Sequence, residues 1–437
     1  MKNVSFAVLT LAAFIISGFR ASAQNEELAV DTLTVENAID IALEHQPLLQ
    51  ASEAGVASAE AGKRLALSSY WPQIGFSASA SHTEGTFVFN PSIAARNQIY
   101  STYTTGLSAS QLIYDFGKTS SRVGATTDLV TASKQDYRLT HEIVATSVEV
   151  AFYAAMQAGE LTQVNKETMK QAEDHLRMAR AFYNAGTRPL LDVTRTEVDL
   201  ANANVGLITA RNAERVARLQ LENAMGVHLR MGYTLKGSVN TSPLTVSLDS
   251  ARTVAMENRP DILSARAHYE ALASFASAAW GLNLPTLAGT GTWNWSGFEA
   301  KLYGRWTAGL TFSLPIFQGF GINAQVDQAD AAAAAQLAQV KLTVQNAMLD
   351  VEQNYLAVGE AAERIAATSK LVEQADESLR LAEKQYAAGV GTAIDVTDAQ
   401  VVRSNAHIIA IQALYDHTIA LTRLRQAMGI SENLNSQ

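Results

Sequence analysis

FYNAGTRPLLDV at residues 182–193 and QYAAGVGTAIDV at residues 385–396 are two copies of one short stretch. Each copy lies between long alanine-rich segments with a helical pattern, so each is predicted to be a tight reversal between two antiparallel helices. The copies are 203 residues apart, and the same offset relates Gly106 to Gly309 and Tyr183 to Tyr386. The chain is therefore an internal duplication, and its function must explain why one chain needs two such hairpins.

The N-terminus has the pattern of a secretory signal peptide. Lys2 precedes an apolar run at residues 4–16, and Ala21-Ser22-Ala23 supplies the small residues of a cleavage site. We expect residues 1–23 to be removed. Loss of Lys2 and Arg20 changes the formal net charge from −9 to −11, which argues against nucleic acid as a partner.

The composition excludes several kinds of functional site and one kind of membrane anchor. The chain has no cysteine, which excludes disulfides, thiolate metal sites and a cysteine nucleophile. No stretch of about 18 apolar residues follows the signal peptide, so no transmembrane helix is predicted. A membrane role would therefore have to come from strands.

Two repeats of one design are predicted. The first covers residues 24–228 and the second residues 246–430, with an irregular linker at 229–245 and a polar tail at 431–437. Each repeat is predicted to contain helices (33–71 and 246–284), a β-hairpin (72–116 and 285–318) and a helical hairpin (117–228 and 319–430). The opening helices follow a second offset, 213 residues, which pairs Pro47 with Pro260 and Pro72 with Pro285. The difference between the offsets places a longer loop in the first β-hairpin.

Strict alternation after Pro72 predicts strands of about ten residues. Ile74 and Phe76 point one way, while Gly75 and Ser77 point the other. Such a hairpin is either a surface flap of a soluble protein or part of a membrane barrel with a wet lumen. The tryptophans favour the barrel, since Trp71, Trp293, Trp295 and Trp306 lie in or beside the strands and fit an aromatic girdle.

Four strands cannot close a barrel. The smallest stable closure takes about eight strands, so two or three chains must share one barrel. Twelve strands from three chains would leave a pore, whereas eight would be filled by side chains.

Residues 118–184 and 320–385 are predicted to be helices. They lack proline and are dominated by alanine, leucine, glutamine and charged residues. A helix of 67 residues is roughly 100 Å long at about 1.5 Å per residue, which is typical of a coiled rod and not of a compact globule.

These features together resemble the TolC-type outer-membrane efflux channels (outer membrane factors). The resemblance covers the mature chain and includes SQLIYDFG at residues 110–117, LPIFQGFG at residues 314–321 and the two reversals. It implies a mainly α protein with a pair of transmembrane β-hairpins, assembled as a homotrimer with a 12-strand β-barrel and a 12-helix α-barrel. It also implies an exit duct in the outer membrane of a Gram-negative bacterium that extends into the periplasm, in contact with outer-membrane lipid, a periplasmic adaptor and an inner-membrane pump of the RND or ABC type.

The resemblance assigns roles to the reversals. They become the periplasmic tips, where the duct is closed and where adaptors dock, so Gly186, Gly389 and Val390 are candidate docking residues. In the family, a tyrosine and an arginine of the second tip engage an aspartate of the first. Tyr386 and Asp192 occupy matching positions here, but Gly391 stands where the family has arginine.

The first tip supplies an arginine of its own. Arg188 is expected to reach Asp395 or Asp398 of a neighbouring chain. The predicted latch residues Tyr183, Arg188, Asp192 and Tyr386 are expected to be exposed, and their weak mutual bonds suit a gate, with a solvated charged turn as the alternative.

Asp395 and Asp398 lie three residues apart and share a helix face. In the family the matching aspartates face the lumen, and a trimer would turn them into two acidic rings. For Asp395 a simpler alternative stays open, because acids near a helix N-terminus also match the helix dipole.

No catalytic, cofactor or metal site is expected. The histidines lack ligand spacing, and nothing resembles a nucleophile with its base. The rival interpretations are an exported coiled-coil scaffold without channel activity and a passive porin, and the porin is disfavoured because it needs no 100 Å helices.

Overall fold

The computed structural model describes residues 31–87, 96–229, 233–239, 244–298 and 302–430. The predicted signal peptide and polar tail, and parts of the predicted linker, lie outside these residues. The chain is mainly helical, with eight helices and six strands among the described residues.

The first half opens with short elements and continues into long ones. Its elements are β1 (Thr32–Leu33), α1 (Val35–His45), α2 (Pro47–Leu67), a 3-10 turn (Ser68–Tyr70), β2 (Gln73–Phe87), β3 (Arg96–Tyr114), α3 (Lys118–Asn184) and α4 (Leu190–Met225). The second half repeats them as β4 (Thr234–Leu235), α5 (Leu248–Asn258), α6 (Pro260–Trp280), a 3-10 turn (Gly281–Asn283), β5 (Thr286–Phe298), β6 (Tyr303–Ser313), α7 (Gly321–Ala387) and α8 (Ala393–Ala427).

Local chemistry explains the helix boundaries near the start. The Thr34 hydroxyl accepts a hydrogen bond from the Asn37 amide at 3.3 Å and caps α1. Pro47 has no amide hydrogen and stands at the first turn of α2, where none is needed. The segments predicted as helical at 33–71 and 246–284 are therefore each divided into two helices and a 3-10 turn.

The long helices α3 and α7 have 67 residues each. At about 1.5 Å per residue each is roughly 100 Å long. Their returning partners, α4 and α8, have 36 and 35 residues and cover one half of each rod. The shorter helices α2 and α6 cover the other half, since α2 and α6 both pack on α3 and α6 also packs on α7.

The core lies where the short opening helices meet the long ones. One buried cluster contains Val148, Phe152, Leu221 and Met225, which lie on α3 and α4. A second cluster contains the counterparts Val351, Leu424 and Met428 at the offset of 203, and Tyr355, the counterpart of Phe152, packs against it partly buried. The duplication is thus present in the packing as well as in the sequence.

Strands β2, β3, β5 and β6 form one antiparallel sheet in the order β2-β3-β5-β6. The pairing obeys the two sequence offsets: Gln73 pairs with Ser110 in the first hairpin, and their counterparts Thr286 and Ser313 pair in the second. The strands of the first hairpin have 15 and 19 residues, so the expected ten residues was too short there. Within the described chain, β2 and β6 are unpaired along their outer edges.

One carboxyl in this framework is held in an unfavourable environment. Glu142 on α3 is only 6% exposed, and its nearest cation is Arg138 at 3.7 Å. Burial raises the pKa of Glu142 to about 6, and Arg138 and Arg259 partly oppose this effect. Because the pKa of Glu142 is higher in the folded chain than in the unfolded chain, its contribution to folding stability is greatest at low pH. That contribution is lost as the pH rises through about 6.

We therefore expect Glu142→Gln to raise the unfolding temperature at about pH 8 and to change it little at about pH 4. The measurement is thermal unfolding at both values of pH, followed by circular dichroism. Glu173→Gln, an exposed acid on the same helix, is the control and should have little effect at either pH. An equal effect of Glu142→Gln at both values would contradict the assignment.

Candidate functional site

The two reversals lie side by side at one end of the long helices. The first tip is residues 185–189, between α3 and α4, and the second tip is residues 388–392, between α7 and α8. Gly186 and Gly389 have φ values of 71° and 80°, a left-handed conformation that favours glycine. The amides of Thr187 and Val390 donate to carbonyl oxygens five residues earlier, at 3.0 and 3.1 Å, which closes each reversal.

The tips present open surface. No atom lies within 4 Å of where a Cβ would stand on Gly186 or Gly389, and the Val390 side chain is 80% exposed. A side chain at either glycine would be strained by the backbone conformation and not by a clash within the chain. The three predicted docking residues are thus accessible, and their role stays a prediction.

Arg188 connects the tips within one chain. Its Nη2 donates a hydrogen bond to the carbonyl oxygen of Gly391 at 2.8 Å. Its guanidinium also lies over the ring of Tyr386, 5.0 Å from the centroid, which is a cation–π contact. The first-tip arginine therefore reaches the residue that stands where the family has its own arginine.

Two of the four latch residues are buried, so the expectation that all four are exposed is wrong. Tyr386 is 5% exposed because it packs among buried side chains of α7 and α8, and its ring lies edge-on to Phe182 with centroids 5.7 Å apart. Asp192 is 9% exposed, whereas Tyr183 is 43% exposed. Sequence periodicity missed this burial because the two hairpins cover each other only in the folded chain.

The electrostatics of this cluster tie Tyr386 to Asp192. Burial raises the pKa of the Tyr386 hydroxyl, the negative charge of Asp192 raises it further, and Arg188 opposes both. The hydroxyl is buried and has no hydrogen-bond partner among the described residues. The ring therefore contributes packing and a face for Arg188, while its hydroxyl is left unsatisfied.

Asp395 has a structural role that accounts for its position. It lies in the first turn of α8 and accepts hydrogen bonds from the amide and the hydroxyl of Thr392, at 2.9 and 2.7 Å, while the Asp395 amide donates to the Thr392 hydroxyl. This is a capping box. The hydrogen bonds from the Thr392 side chain and backbone lower the pKa of the Asp395 carboxyl.

Asp398 is exposed and makes no such cap. It lines a groove of about 230 Å³ between the first turns of α4 and α8, together with Arg195 and Asp199. The Thr397 hydroxyl donates to Asp199 at 2.9 Å and joins the two helices. Asp199 adds a carboxylate that sequence reasoning missed, because only the packing of α4 against α8 reveals it.

Further polar links hold the hairpins together above the tips. The carboxylate of Asp376 on α7 accepts from Arg403 at 2.6 Å and lies 3.1 Å from His407, both on α8. His175 on α3 lies 3.6 Å from Glu383 on α7, and burial lowers the pKa of its ring.

The tryptophans lie at two levels of the sheet. Trp293 pairs with Trp306 across β5 and β6 and stacks on Trp295, with ring centroids 5.2 Å apart. Trp71 is 70% exposed and lies at the other end, beside the start of β2. Trp293 lies seven residues beyond Thr286, the start of β5, which is roughly 25 Å along a strand. Because the strands of a membrane barrel are tilted by about 35–45°, that length covers roughly 19 Å of membrane height, somewhat less than the apolar band of about 25 Å.

Other functional chemistry is not found in the described part of the chain. No group of histidine, aspartate and glutamate side chains there is arranged to hold a metal ion. Among the described residues, no helix combines the length and the apolar character that a membrane crossing needs.

Comparison with known proteins gives one consistent family. The sequence model of the outer membrane efflux protein family matches residues 38–227 and 252–430. The solvent efflux pump outer membrane protein SrpC of Pseudomonas putida is 25% identical over 369 residues, which are 83% of this chain and 78% of SrpC. The outer membrane efflux protein BepC of Brucella suis is 23% identical, over 96% of this chain and 90% of its own.

The fold has relatives among solved structures. The outer membrane protein VceC of Vibrio cholerae superposes with a TM-score of 0.79 at 19% identity, over 90% of this chain and 96% of its own. At that identity the similarity establishes the fold alone.

The contacts of Arg188 lead to a test of the tip. Arg188→Ser removes the hydrogen bond to Gly391 and the contact with the Tyr386 ring, each worth about 1 kcal/mol. We expect amide hydrogen exchange at residues 388–392 to become roughly fivefold faster or more. Arg188→Lys keeps the charge over the ring and should give an intermediate rate.

The control is Arg177→Ser, because Arg177 is exposed and pairs with Asp174 on its own helix at 2.6 Å. Unchanged exchange in Arg188→Ser would mean that other contacts hold the tips together.

Proposed function

The chain belongs to the outer membrane efflux protein family, and on that basis we propose how it assembles and works as an exit duct. It is an outer-membrane channel component of an efflux system and not an enzyme. It lies in the outer membrane of a Gram-negative bacterium and extends into the periplasm. The proposals below concern its homotrimer, its residues and its partners.

The main support for the assembly is the four-stranded sheet, which has an exposed apolar face and two unpaired edges. One face presents large apolar side chains that are at least 44% exposed, including Phe76, Leu107, Trp293 and Trp306 in four adjacent strands. The edges of β2 and β6 have no partner within the described chain. In lipid, unpaired backbone groups are too costly to persist, so another chain must cover each edge.

The duplication predicts how the next chain pairs. Within the chain, β3 of the first repeat pairs with β5 of the second, with Ser108 opposite Thr292. The counterpart of Ser108 at the offset of 203 is Thr311 in β6, and the counterpart of Thr292 at the offset of 213 is Ser79 in β2. The equivalent contact between chains therefore joins β6 of one chain to β2 of the next. It places Thr311 opposite Ser79 of the neighbouring copy. Three chains joined in this way give twelve strands, and α7 then lies beside α2 of the neighbour.

The helix surfaces fit this arrangement. In the contact of α3 with α6, the Ser264 hydroxyl donates to Asp136 at 2.5 Å. In the proposed contact between chains, Ala51 on α2 corresponds to Ser264 and Gln339 on α7 corresponds to Asp136. Both are exposed in the single chain. A second polar contact, Ser274 with Asp128, becomes Ala61 with Ala331. Small side chains on both surfaces allow the helices to approach closely.

The tips then take the roles that the resemblance implies. We assign adaptor docking to the exposed surface of Gly186, Gly389 and Val390, and the closing contacts to Tyr183, Arg188, Asp192 and Tyr386. The girdle is formed by Trp293, Trp295 and Trp306 at one level and Trp71 at the other. A periplasmic adaptor and an inner-membrane pump of the RND or ABC type load the duct.

Asp398 is the main residue of the lumenal acidic ring in this proposal. Asp395 contributes charge but also caps α8. Three copies would bring six carboxylates to the narrow end, where clustered negative charge favours cations and binds multivalent ones.

The assembly is tested by cysteine pairing, which the absence of native cysteine makes unambiguous. Ser79→Cys combined with Thr311→Cys should give a disulfide-linked trimer after mild oxidation, because opposite residues of antiparallel strands are about 5 Å apart. Ser79→Cys with Leu310→Cys is the control, since these side chains point to opposite faces. Equal linking in both variants, or none in either, would contradict the proposed pairing.

The acidic ring is tested in planar bilayers. Trivalent hexaamminecobalt, added on the periplasmic side, should block the channel, and Asp398→Asn should raise the half-blocking concentration roughly tenfold. Asp395→Asn keeps an oxygen that can cap α8 and should have the smaller effect. Unchanged block in the double variant would show that other residues form the constriction.

A further inference from the structure

A cavity of about 830 Å³ lies where the helices meet the sheet. Its helical wall comes from α2 and the start of α3, with Phe275 contributed by α6. Its strand wall is formed by Gln73, Ser110, Gln111, Leu112 and Ala288. Ser110 pairs with Gln73, and Leu112 pairs with Ala288. Alternation from Ser108 places all of these except Gln111 on the polar face of the sheet, opposite the apolar face of Phe76 and Leu107.

The cavity is basic and has an apolar side. Lys118 and Arg122, one helical turn apart on α3, line it, and neither makes an ion pair with another described residue. Asp115 also lines it, but its carboxylate accepts hydrogen bonds from the amide and hydroxyl of Thr119, at 2.8 and 2.5 Å. Leu65, Leu112 and Phe275 provide apolar surface in the same cavity.

The second repeat lacks the glycine and the two cations that line this cavity. At the offset of 213, Gly62 corresponds to Phe275, so the second repeat has an aromatic side chain at the position where the first repeat has none. At the offset of 203, Lys118 corresponds to Gly321 and Arg122 to Gln325. The two repeats otherwise match in strand register and core packing. The differences at the cavity are therefore not explained by the needs of the barrel alone.

We propose that this cavity is a binding site for anionic amphiphiles that pass through the duct. Lys118 and Arg122 would bind the anionic group, while Phe275 and Leu112 contact its apolar body. The inference rests on the proposed barrel, because the polar face of the sheet becomes the lumen only when the barrel closes. A trimer then carries three such sites at the end of the helical tunnel, far from the acidic tips.

The test uses single channels of the full chain in a bilayer of neutral phosphatidylcholine. Naphthalene sulfonate added from the barrel side should block the current in a voltage-dependent manner, and uncharged naphthalene sulfonamide should block far less. The double variant Lys118→Gln/Arg122→Gln should raise the half-blocking concentration of the sulfonate about tenfold. Gly62→Phe, which copies the second repeat into open space, should do the same by filling the cavity.

Arg64→Gln is the matched control, because Arg64 is exposed on the same helix as Gly62 but does not line the cavity. Wild-type block in both the double variant and Gly62→Phe would overturn the proposal, and so would an equal loss in Arg64→Gln. Normal conductance in each variant shows that it has folded.

Two other outcomes are separable. If phosphatidylglycerol in the bilayer abolishes the block and the block lacks voltage dependence, the site binds a lipid headgroup and the cargo proposal is wrong. If the wild-type chain forms no channel, the trimeric duct itself fails, and this inference fails with it.

Discussion

The backbone at the edges of the sheet imposes the strongest constraint on this protein. Four strands with one apolar face can be stable in lipid only if the outer edges of β2 and β6 are paired, because an unsatisfied backbone group has no water to bond there. A single chain pairs β3 with β5 but leaves those two edges open. The duplication resolves the problem, since the surface that joins the two repeats can be used again to join one chain to the next.

The helical part follows from the same repetition. Each hairpin continues directly into a helix of 67 residues, and a rod of that length needs covering along both halves. The returning helix covers the half near the tip, and the short opening helices cover the half near the sheet. The two larger buried clusters lie between the sheet and the tips, where the short opening helices and the returning helices both pack on the long ones.

Much of this could be predicted from the sequence because it depends on local pattern. The run predicted at 118–184 has no proline and forms a helix over those residues, and alternation after Pro72 identified the two faces of the strands. The burial of Tyr386 could not be predicted, since it depends on the packing of α7 against α8 and on Phe182 of the other repeat. The position of Asp199 beside Asp398 and the cavity between the helices and the sheet could not be predicted either, because tertiary packing creates both. The capping box of Asp395 with Thr392 is a further local role that the sequence analysis did not identify, and the role of Asp395 in an acidic ring stays a prediction.

The most direct test of this account is the mass of the purified full-length protein in detergent, measured by native mass spectrometry. The account predicts a complex of about three times the mature chain mass, because only a closed barrel satisfies the edges of β2 and β6. A stable monomer with its strands intact would contradict it.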